Sequence, residues 1–310
     1  MKLISVVSPC YNEEGNVEVL TDRVRELFAG LPQYRYEHIV IDNDSNDGTV
    51  EILRGIAQRD PNVKVILNAR NFGHIRSPHH AILEASGDAV IVLLSDLQDP
   101  PEMILDFLRE WEAGYPIVVA IKSTSDENGL MYGIRSAYYK TVARLTDVKV
   151  LEHFTGFGLY DRSVVEILKR DFQDPNPYFR GQIAEIGLPH KAVYYNQKRR
   201  MRGITKNNFY TLYDMAMLGI TNLSKVPLRL VIFGGFVFAF LSLLAGFGYL
   251  IAKLVFWNQF ELGLAPTMIG LFFLGSVQLV ALGIIGEYVG SIHTIVQNRP
   301  LVTEKERINF

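Results

Sequence analysis

The sequence has little cysteine and no excess of positive charge: its 310 residues include one cysteine, Cys10, and carry a formal net charge of −2. A single thiol excludes an internal disulfide bond and a metal site built from several thiolates, and it fits a reducing compartment. The lack of a net positive charge argues against a protein that binds nucleic acid along its whole surface. The length allows two domains, and the sequence shows neither repeats nor a low-complexity linker.

Two glycine-rich phosphate-binding motifs and a signal peptide are also missing. The sequence contains neither GxGxxG nor GxxxxGK, which disfavours a Rossmann dehydrogenase and a P-loop enzyme. At the N-terminus, Tyr11, Asn12, Glu13 and Glu14 follow the first apolar run, where a signal peptide needs a small-residue cleavage site. That run therefore predicts a first β-strand. A domain of about 200 residues without an export signal is expected to stay in the cytoplasm.

Charged side chains are absent from two long apolar runs near the C-terminus, residues 230–252 and 262–286. Each run exceeds the roughly 20 residues that a helix needs to cross a bilayer. We expect membrane helices at about 230–252 and 264–286, within an anchor over residues 228–290. Two buried helices of a soluble core are the alternative, but the length and the glycine-rich, all-round apolar character suit lipid better.

The residues around these runs predict the topology. Lysine and arginine lie mainly on the outer flanks, so both termini, including a tail over residues 291–310, are expected on the cytoplasmic side of the cell (inner) membrane. Residues 206–227 carry apolar side chains at helical spacing and predict an amphipathic helix on the membrane surface. A helix packed on the soluble domain is the alternative. Glycines in the runs allow close helix packing within one chain or in a homo-oligomer.

Short β-branched apolar runs alternate with helical stretches over residues 1–125. This pattern predicts an α/β fold, with a mostly parallel sheet covered by helices on both faces, in a cytoplasmic domain over residues 1–205. Ligands of such sheets bind beyond the carboxyl ends of the strands. The loops at those positions are polar, and in chain order they read PCYNEE, DNDSNDGT, NARNFGH and SDLQDPPE.

The loop after the second strand offers groups that can recognise a nucleoside. Asp42, Asn43, Asp44 and Asp47 stand where the strand turns into a helix, and their oxygens can accept hydrogen bonds from a base or a ribose. An Asx turn followed by a helix cap is an equally good interpretation of the same residues.

The loop after the fourth strand offers a metal site. Asp96 follows a buried strand directly. Its carboxylate oxygens are hard ligands that suit Mg²⁺ or Mn²⁺ bound to a diphosphate. Asp99 is either a second metal ligand or only the cap of the next helix. Further along, residues 198–206 hold a basic cluster that can contact phosphate groups, with a solvated or headgroup-binding patch as the alternative.

These motifs, in this order, resemble a known family. SVVSPCYNEE, DNDSNDGT and GDAVIVLLSDLQDPPE are similar to the inverting family two glycosyltransferases, which have a GT-A fold, a Rossmann-like and mostly parallel sheet. The later FTGFGLYDR and YFRG, the basic cluster and the two apolar runs resemble more narrowly the polyprenyl-phosphate glycosyltransferases. That subgroup includes bactoprenol glucosyltransferases and dolichyl-phosphate mannose synthase. The resemblance covers essentially the whole chain.

The resemblance implies site residues. Asp96 matches the last carboxylate of the family's DxD metal motif, and Arg200 and Lys206 match the basic pair of an RxxGxSK stretch that reaches phosphate groups of the donor or acceptor. Arg135 matches a further phosphate-contacting arginine. Asp96, Arg200 and Lys206 are therefore the predicted catalytic residues. The predicted nucleotide-binding residues are Pro9, Tyr11, Asn12, Glu13, Ile41, Asp42 and Asn43.

The sequence departs from the family pattern at a few positions. Leu94 replaces the first DxD carboxylate, which leaves Asp96 as the sole motif carboxylate for the metal unless Asp99 compensates. Asn43 stands where the family often has Asp, and its amide can still accept a hydrogen bond from a base. Ile204 and Thr205 replace Glu and Ser in the basic stretch.

Taken together, these expectations describe an enzyme that moves one sugar, with UDP-glucose as the first candidate donor, onto the phosphate of a polyprenyl phosphate such as undecaprenyl or dolichyl phosphate. The transfer inverts the anomeric carbon, uses Mg²⁺ or Mn²⁺ and takes place at the cytoplasmic membrane face, with no nucleic acid as a partner. A processive polysaccharide synthase of the same fold is one alternative. A non-catalytic, membrane-tethered nucleotide-binding protein is the other, and Leu94 is the residue that favours it.

Overall fold

The computed structural model describes residues 1–124, 154–197, 224–256 and 264–310. Three of the predicted site residues, Arg135, Arg200 and Lys206, lie outside these ranges, as does most of the predicted amphipathic helix at 206–227. The predictions made for them therefore stay predictions.

The N-terminal part of the chain alternates strands and helices, as the sequence pattern predicts. Its elements are β1 (Lys2–Cys10), α1 (Val17–Ala29), β2 (Tyr34–Asp42), α2 (Thr49–Arg59), β3 (Val63–Asn68), α3 (Gly73–Glu84), β4 (Ala89–Val92), α4 (Met103–Glu112) and β5 (Ile117–Thr124). The later elements are β6 (Phe154–Asp161), α5 (Arg162–Asp171), α6 (Phe179–Ile186), β7 (His190–Asn196), α7 (Val226–Val255), α8 (Leu264–Gln297) and β8 (Glu304–Ile308).

The strands that the structure describes form one sheet in the order β7-β5-β6-β4-β1-β2-β3-β8. β1 pairs in parallel with β2 and β4, and β2 pairs in parallel with β3. β6 runs antiparallel to both of its neighbours, and β8 runs antiparallel to β3. The predicted α/β fold with a mostly parallel sheet is therefore confirmed.

Helices cover both faces of this sheet because its central strands are apolar on both sides. Ile4 and Val6 of β1 pack with Phe107 of α4 on one face, while Val7, the next residue in sequence, packs with Ala81 of α3 on the other. All five side chains are fully buried. Burying such a side chain stabilises the fold by about 1.5–3 kcal/mol, which explains why Val and Ile run without polar alternation through these strands.

α7 and α8 are the two long apolar helices that the charge-free runs predict. By length and composition, residues 226–248 and 273–297 are candidate membrane spans, and none of those residues is buried inside the protein. Phe238 and Phe273 meet edge to face across the helix pair, with ring centroids 5.7 Å apart. α8 extends beyond the predicted end at 286 to Gln297, so it includes Glu287.

The last strand, β8, joins the edge of the sheet, where the sequence predicted only a tail. Val65 and Ile66 of β3 pair with Ile308 and Arg307. Asn309 fastens the end of the strand, because its Nδ2 donates to the carbonyl oxygens of Ala57 at 2.7 Å and Val63 at 2.9 Å. The chain that leaves the second apolar helix is thereby built into the sheet.

Candidate active site

The predicted nucleotide-binding loops emerge at one edge of the sheet because of strand register. Pro9 and Cys10 of β1 pair with Ile41 and Asp42 of β2, and Val7 pairs with Val92 at the end of β4. The PCYNEE, DNDSNDGT and SDLQDPPE loops therefore start side by side. Pro9 and Tyr11 are half-buried there, which leaves part of each ring at the surface of the ligand edge.

Hydrogen bonds join the loop after β1 to the loop after β2. The Asn12 backbone N–H donates to Ser45 Oγ at 2.8 Å, and the Asn46 N–H donates back to Asn12 Oδ1 at 2.9 Å. The Glu13 N–H donates to Thr49 Oγ1 at 2.9 Å. Asn12 takes a left-handed backbone with φ of 57°, a conformation that Asn tolerates better than most residues. Asn12 and Glu13 thus help to shape the edge.

Asp42 takes part in an Asx turn. Its carboxylate accepts hydrogen bonds from both the backbone N–H, at 2.9 Å, and the hydroxyl of Ser45. The carboxylate is buried, and burial raises the pKa of Asp42 above its ordinary value, although the Ser45 hydrogen bonds oppose that shift. The turn that the sequence left as an alternative is present, and it orients the loop that a nucleoside would contact.

Asn43 uses all of its side-chain hydrogen-bonding capacity to hold the loop between β3 and α3. Its Nδ2 donates to Asn71 Oδ1 at 2.9 Å and to the Gly73 carbonyl at 3.2 Å. Its Oδ1 accepts from the Phe72 N–H at 2.9 Å and from Asn68 Nδ2 at 3.1 Å. A carboxylate cannot make the two donations, so Asn in place of the family's frequent Asp has a structural reason here.

Asp96 lies beyond the end of β4 with little of its surface exposed. Its Oδ1 accepts the Gln98 N–H at 3.2 Å, and the intervening Leu97 has a left-handed φ of 57°. A left-handed leucine is strained, and such strain is concentrated at functional sites. The half-buried Leu94 occupies the position of the first motif carboxylate.

Asp99 is fully buried and faces away from the loop surface toward β7. Its Oδ1 accepts hydrogen bonds from Tyr195 Oη and from Gln197 Nε2, the latter at 3.1 Å, while its Oδ2 has no hydrogen-bond partner among the described residues. Burial raises the pKa of Asp99, and the charge of Asp96 adds to that shift, whereas the Tyr195 hydrogen bond opposes it. Only one oxygen of Asp99 remains for any other ligand.

A divalent cation at this edge would need oxygen ligands from a bound phosphate group in addition to those of the protein. In the part of the chain that the structure describes, no group of three or more His, Cys, Asp or Glu side chains could hold a metal ion. Mg²⁺ is commonly held by one or two carboxylates together with phosphate oxygens and water. Asp96 supplies one carboxylate of that type of donor set, whereas the buried Asp99 is turned toward Tyr195.

The structure thus brings together one part of the predicted site. The predicted nucleotide-binding residues from β1 and β2 share one edge with Asp96 and Asp99, and Arg135, Arg200 and Lys206 lie outside the described residues. Sequence reasoning missed two groups of supporting residues: Asn68 and Asn71, which hold Asn43, and Tyr195 and Gln197, which hold Asp99. The polar NARNFGH loop was a visible signal for the first group, but nothing in the sequence links Asp99 to β7.

Known proteins are similar to this chain in sequence. The model of the family described as glycosyl transferase family 2 matches residues 5–168. An uncharacterized glycosyltransferase of Synechocystis sp. is 35% identical over 299 residues, which cover 96% of this chain and 93% of that protein. The bactoprenol glucosyl transferase of Shigella phage SfII is 36% identical over 298 residues, which cover 96% of both chains.

Among solved structures, glucosyl-3-phosphoglycerate synthase from Mycobacterium tuberculosis, in complex with Mn²⁺, uridine diphosphate and phosphoglyceric acid, is similar in fold. The TM-score is 0.50 at 22% identity, over 71% of this chain and 76% of that chain. The mixed sheet described above is accordingly of the GT-A type. The family model spans more than half of this chain, and the relatives cover nearly all of it. The chain therefore belongs to glycosyl transferase family 2 and is a glycosyltransferase.

Proposed function

We propose that this glycosyltransferase moves a single sugar, with glucose from UDP-glucose as the first candidate, onto the phosphate of a polyprenyl phosphate at the cytoplasmic face of a membrane. The observation that supports this most is the extent of the likeness to relatives named bactoprenol glucosyl transferase. It covers 96% of both chains, so it includes the two apolar helices as well as the catalytic domain.

The donor nucleotide is proposed to bind at the edge formed by the β1 and β2 loops. Tyr11 offers a half-buried aromatic ring for stacking on the base. Pro9, Asn12 and Glu13 adjoin it along the chain, and Ile41, which pairs with Pro9, is fully buried in the core. Asp42 and Asn43 hold the two adjoining loops in place through the hydrogen bonds described above. Their role in binding is therefore largely to fix the shape of the nucleotide site.

The chemistry asks for charge stabilisation and positioning. A phosphate monoester has a second pKa of about 6, so the acceptor is mostly ionised at neutral pH and needs no dedicated base. One of its oxygens forms a bond to the anomeric carbon as the bond to the nucleoside diphosphate breaks, and the configuration inverts. Mg²⁺ or Mn²⁺ on Asp96 would neutralise the leaving diphosphate, and Arg200, Lys206 and Arg135 are proposed to contact phosphate oxygens.

The membrane orientation is proposed from β8. β8 pairs with β3 in the catalytic sheet. This pairing supports the proposal that the residues after α8 lie on the same side of the membrane as the catalytic domain. α7 and α8 would then form a hairpin that crosses twice, with both termini in the cytoplasm. The lone cysteine of the chain, Cys10, is buried, so engineered cysteines can test this. In intact cells, an impermeant maleimide should label Asn258→Cys but not Asp171→Cys, and the reverse pattern would refute the proposed orientation.

The activity is tested with membranes that contain the full chain. A panel of labelled nucleotide sugars is supplied together with polyprenyl phosphate, and the label is followed into the lipid extract. We expect one sugar on an extractable lipid, and formation of polymer would support a processive synthase. Asp96→Ala should reduce transfer at least about 100-fold, in the range typical for loss of transition-state charge stabilisation. Asp171→Ala, at the exposed C-terminal residue of α5, should leave it unchanged. Normal turnover in Asp96→Ala would refute the role of Asp96.

A further inference from the structure

Three arginines meet where the loop between β3 and α3 approaches the end of α8. The guanidinium of Arg70 lies over the Phe72 ring at 4.0 Å from its centroid, and that of Arg76 lies 5.6 Å from the same centroid. Arg76 Nη2 also donates a hydrogen bond to the carbonyl oxygen of Pro300, the residue that follows Arg299. We call Arg70, Phe72, Arg76 and Arg299 the arginine patch.

The arginine patch carries positive charge that no carboxylate among the described residues pairs with. Among the residues that the structure describes, none of the three arginines forms an ion pair, whereas Arg54 pairs with Glu306 on the same edge of the sheet. Arg76 Nε is buried and has no hydrogen-bond partner within the described part of the chain. Burial lowers the pKa of Arg76, and the charges of Arg70 and Arg299 lower it further. Like charges placed this close favour the binding of an anion.

The position of the patch indicates which anion is available. The second candidate span ends at Gln297, two residues before Arg299. Arg76, in the first turn of α3, is hydrogen-bonded to Pro300, so the start of α3 lies within a few residues of the point where α8 would leave the bilayer. Basic side chains at that height face lipid headgroups, and an aromatic ring such as Phe72 suits the same interface.

We infer that the arginine patch binds the phosphate of an anionic phospholipid headgroup and so holds the catalytic domain against the membrane surface. This inference rests on the proposed membrane anchor, and it concerns bulk lipid, distinct from the acceptor. Phe72 links the two sites, because its backbone N–H donates to Asn43 Oδ1 at the nucleotide edge. Lipid bound at the patch would therefore place the donor edge next to the headgroups, where a lipid-linked acceptor is presented.

The test is native mass spectrometry of the full chain purified in detergent, with dioleoyl phosphatidylglycerol or dioleoyl phosphatidylcholine added at equal concentration. A variant with Arg70→Gln, Arg76→Gln and Arg299→Gln is compared with a control that carries Arg25→Gln, Arg35→Gln and Arg170→Gln. The control removes the same charge from three exposed arginines, which lie in α1, β2 and α5 respectively. Because Arg76 is partly buried, the single exposed substitution Arg70→Gln is measured as well.

The native chain and the control should retain phosphatidylglycerol more tightly than phosphatidylcholine. Each basic side chain at a membrane surface contributes roughly 1 kcal/mol, which is about a factor of five in affinity. We therefore expect the preference to fall about fivefold in Arg70→Gln and about 100-fold in the triple patch variant. An unchanged preference in the patch variant would overturn the inference. Displacement of the phospholipid by millimolar inorganic phosphate would also overturn it, because that result would indicate a free-phosphate site. Displacement by stoichiometric polyprenyl phosphate would overturn it as well, because that result would indicate an acceptor site.

The outcome is independent of whether the proposed reaction is correct. Lipid retention is read without donor or acceptor, so a failure to find sugar transfer leaves the result valid. Conversely, a patch variant that loses phosphatidylglycerol but still transfers sugar in detergent with soluble short-chain acceptor would separate the membrane contact from the chemistry, and it would support the inference.

Discussion

Tyr195 at the end of β7 donates a hydrogen bond to Asp99, three residues beyond the predicted metal ligand Asp96. Gln197 donates to the same Asp99 oxygen at 3.1 Å. The loop after β4 is thereby fastened to the strand that leads directly into the basic stretch with Arg200 and Lys206. Loss of the Tyr195–Asp99 hydrogen bond is therefore expected to lower the catalytic rate as well as the stability.

Tyr195→Phe should therefore lower kcat about tenfold and change the KM for the nucleotide sugar by less than about twofold, because a small displacement of charge-stabilising groups costs rate more than ground-state binding. The stability loss is expected to be about 1–2 kcal/mol. Steady-state kinetics and thermal unfolding in detergent provide both measurements.

The matched control is Tyr34→Phe. Tyr34 Oη also donates to a carboxylate, Glu112, but Tyr34 begins β2 and so lies at the end of the sheet opposite the ligand edge. It should lose similar stability and keep its kcat. Equal kcat in both variants would contradict the assigned role of the Tyr195 hydrogen bond.

The sequence predicted the elements that are marked by apolar periodicity and missed those that depend on distant polar partners. The parallel strands and the two apolar helices follow from runs of Val, Ile, Leu and Phe, which are unambiguous at their lengths. β8 could not be predicted, because its residues Glu304–Ile308 read EKERI and form a polar edge strand whose partners, such as Arg54 for Glu306, lie far away in the sequence. The Asp99–Tyr195 contact joins residues 96 positions apart and leaves no local signal.

Asn43→Asp tests whether the amide is needed for the loop that it holds. A carboxylate at this position would face the acceptor oxygens of Asn71 and Gly73 without a proton to donate, and it would be buried. We expect a stability loss of about 2–3 kcal/mol and a rise in KM for UDP-glucose of at least about tenfold. Asn46→Asp introduces the same charge at an exposed position of the same loop and should change neither quantity. If both variants lose stability and raise KM to the same extent, the added negative charge, and not the loss of the two donated hydrogen bonds, is the cause.

His79 predicts how stability changes with acid. Both of its ring nitrogens are buried without a hydrogen-bond partner among the described residues, and the ring meets Phe179 edge to face. Burial and the neighbouring His80 lower the pKa of His79 from 6.5 to about 4. The unfolded chain therefore binds a proton between pH 6.5 and pH 4 that the folded chain excludes, so stability should fall as pH falls through this window.

His79→Leu removes that proton uptake and also removes two unpartnered polar atoms from an apolar site. The variant should be at least as stable as the native chain at pH 7.5, and its stability advantage should grow by about 1.4 kcal/mol for each pH unit across that window. Thermal unfolding followed between pH 7.5 and pH 4.5 measures the difference. An advantage that stays constant with pH would show that His79 is not excluded from protonation in the folded state.

Removal of β8 tests the link between the apolar helices and the catalytic sheet. Truncation after Thr303 uncovers the β3 edge and deletes Glu304 and Glu306, the ion-pair partners of His80 and Arg54. An uncovered β3 would present unpaired N–H and C=O groups, so we expect a thermal midpoint lower by about 5 °C or more and concentration-dependent aggregation. A full-length variant with Glu306→Gln, which keeps the strand but weakens one exposed pair, should lose less than about 1 kcal/mol. A truncated chain with the thermal midpoint and the association state of the native chain would show that β8 is dispensable for the catalytic domain. The argument from β8 to a two-pass hairpin would then lose its support.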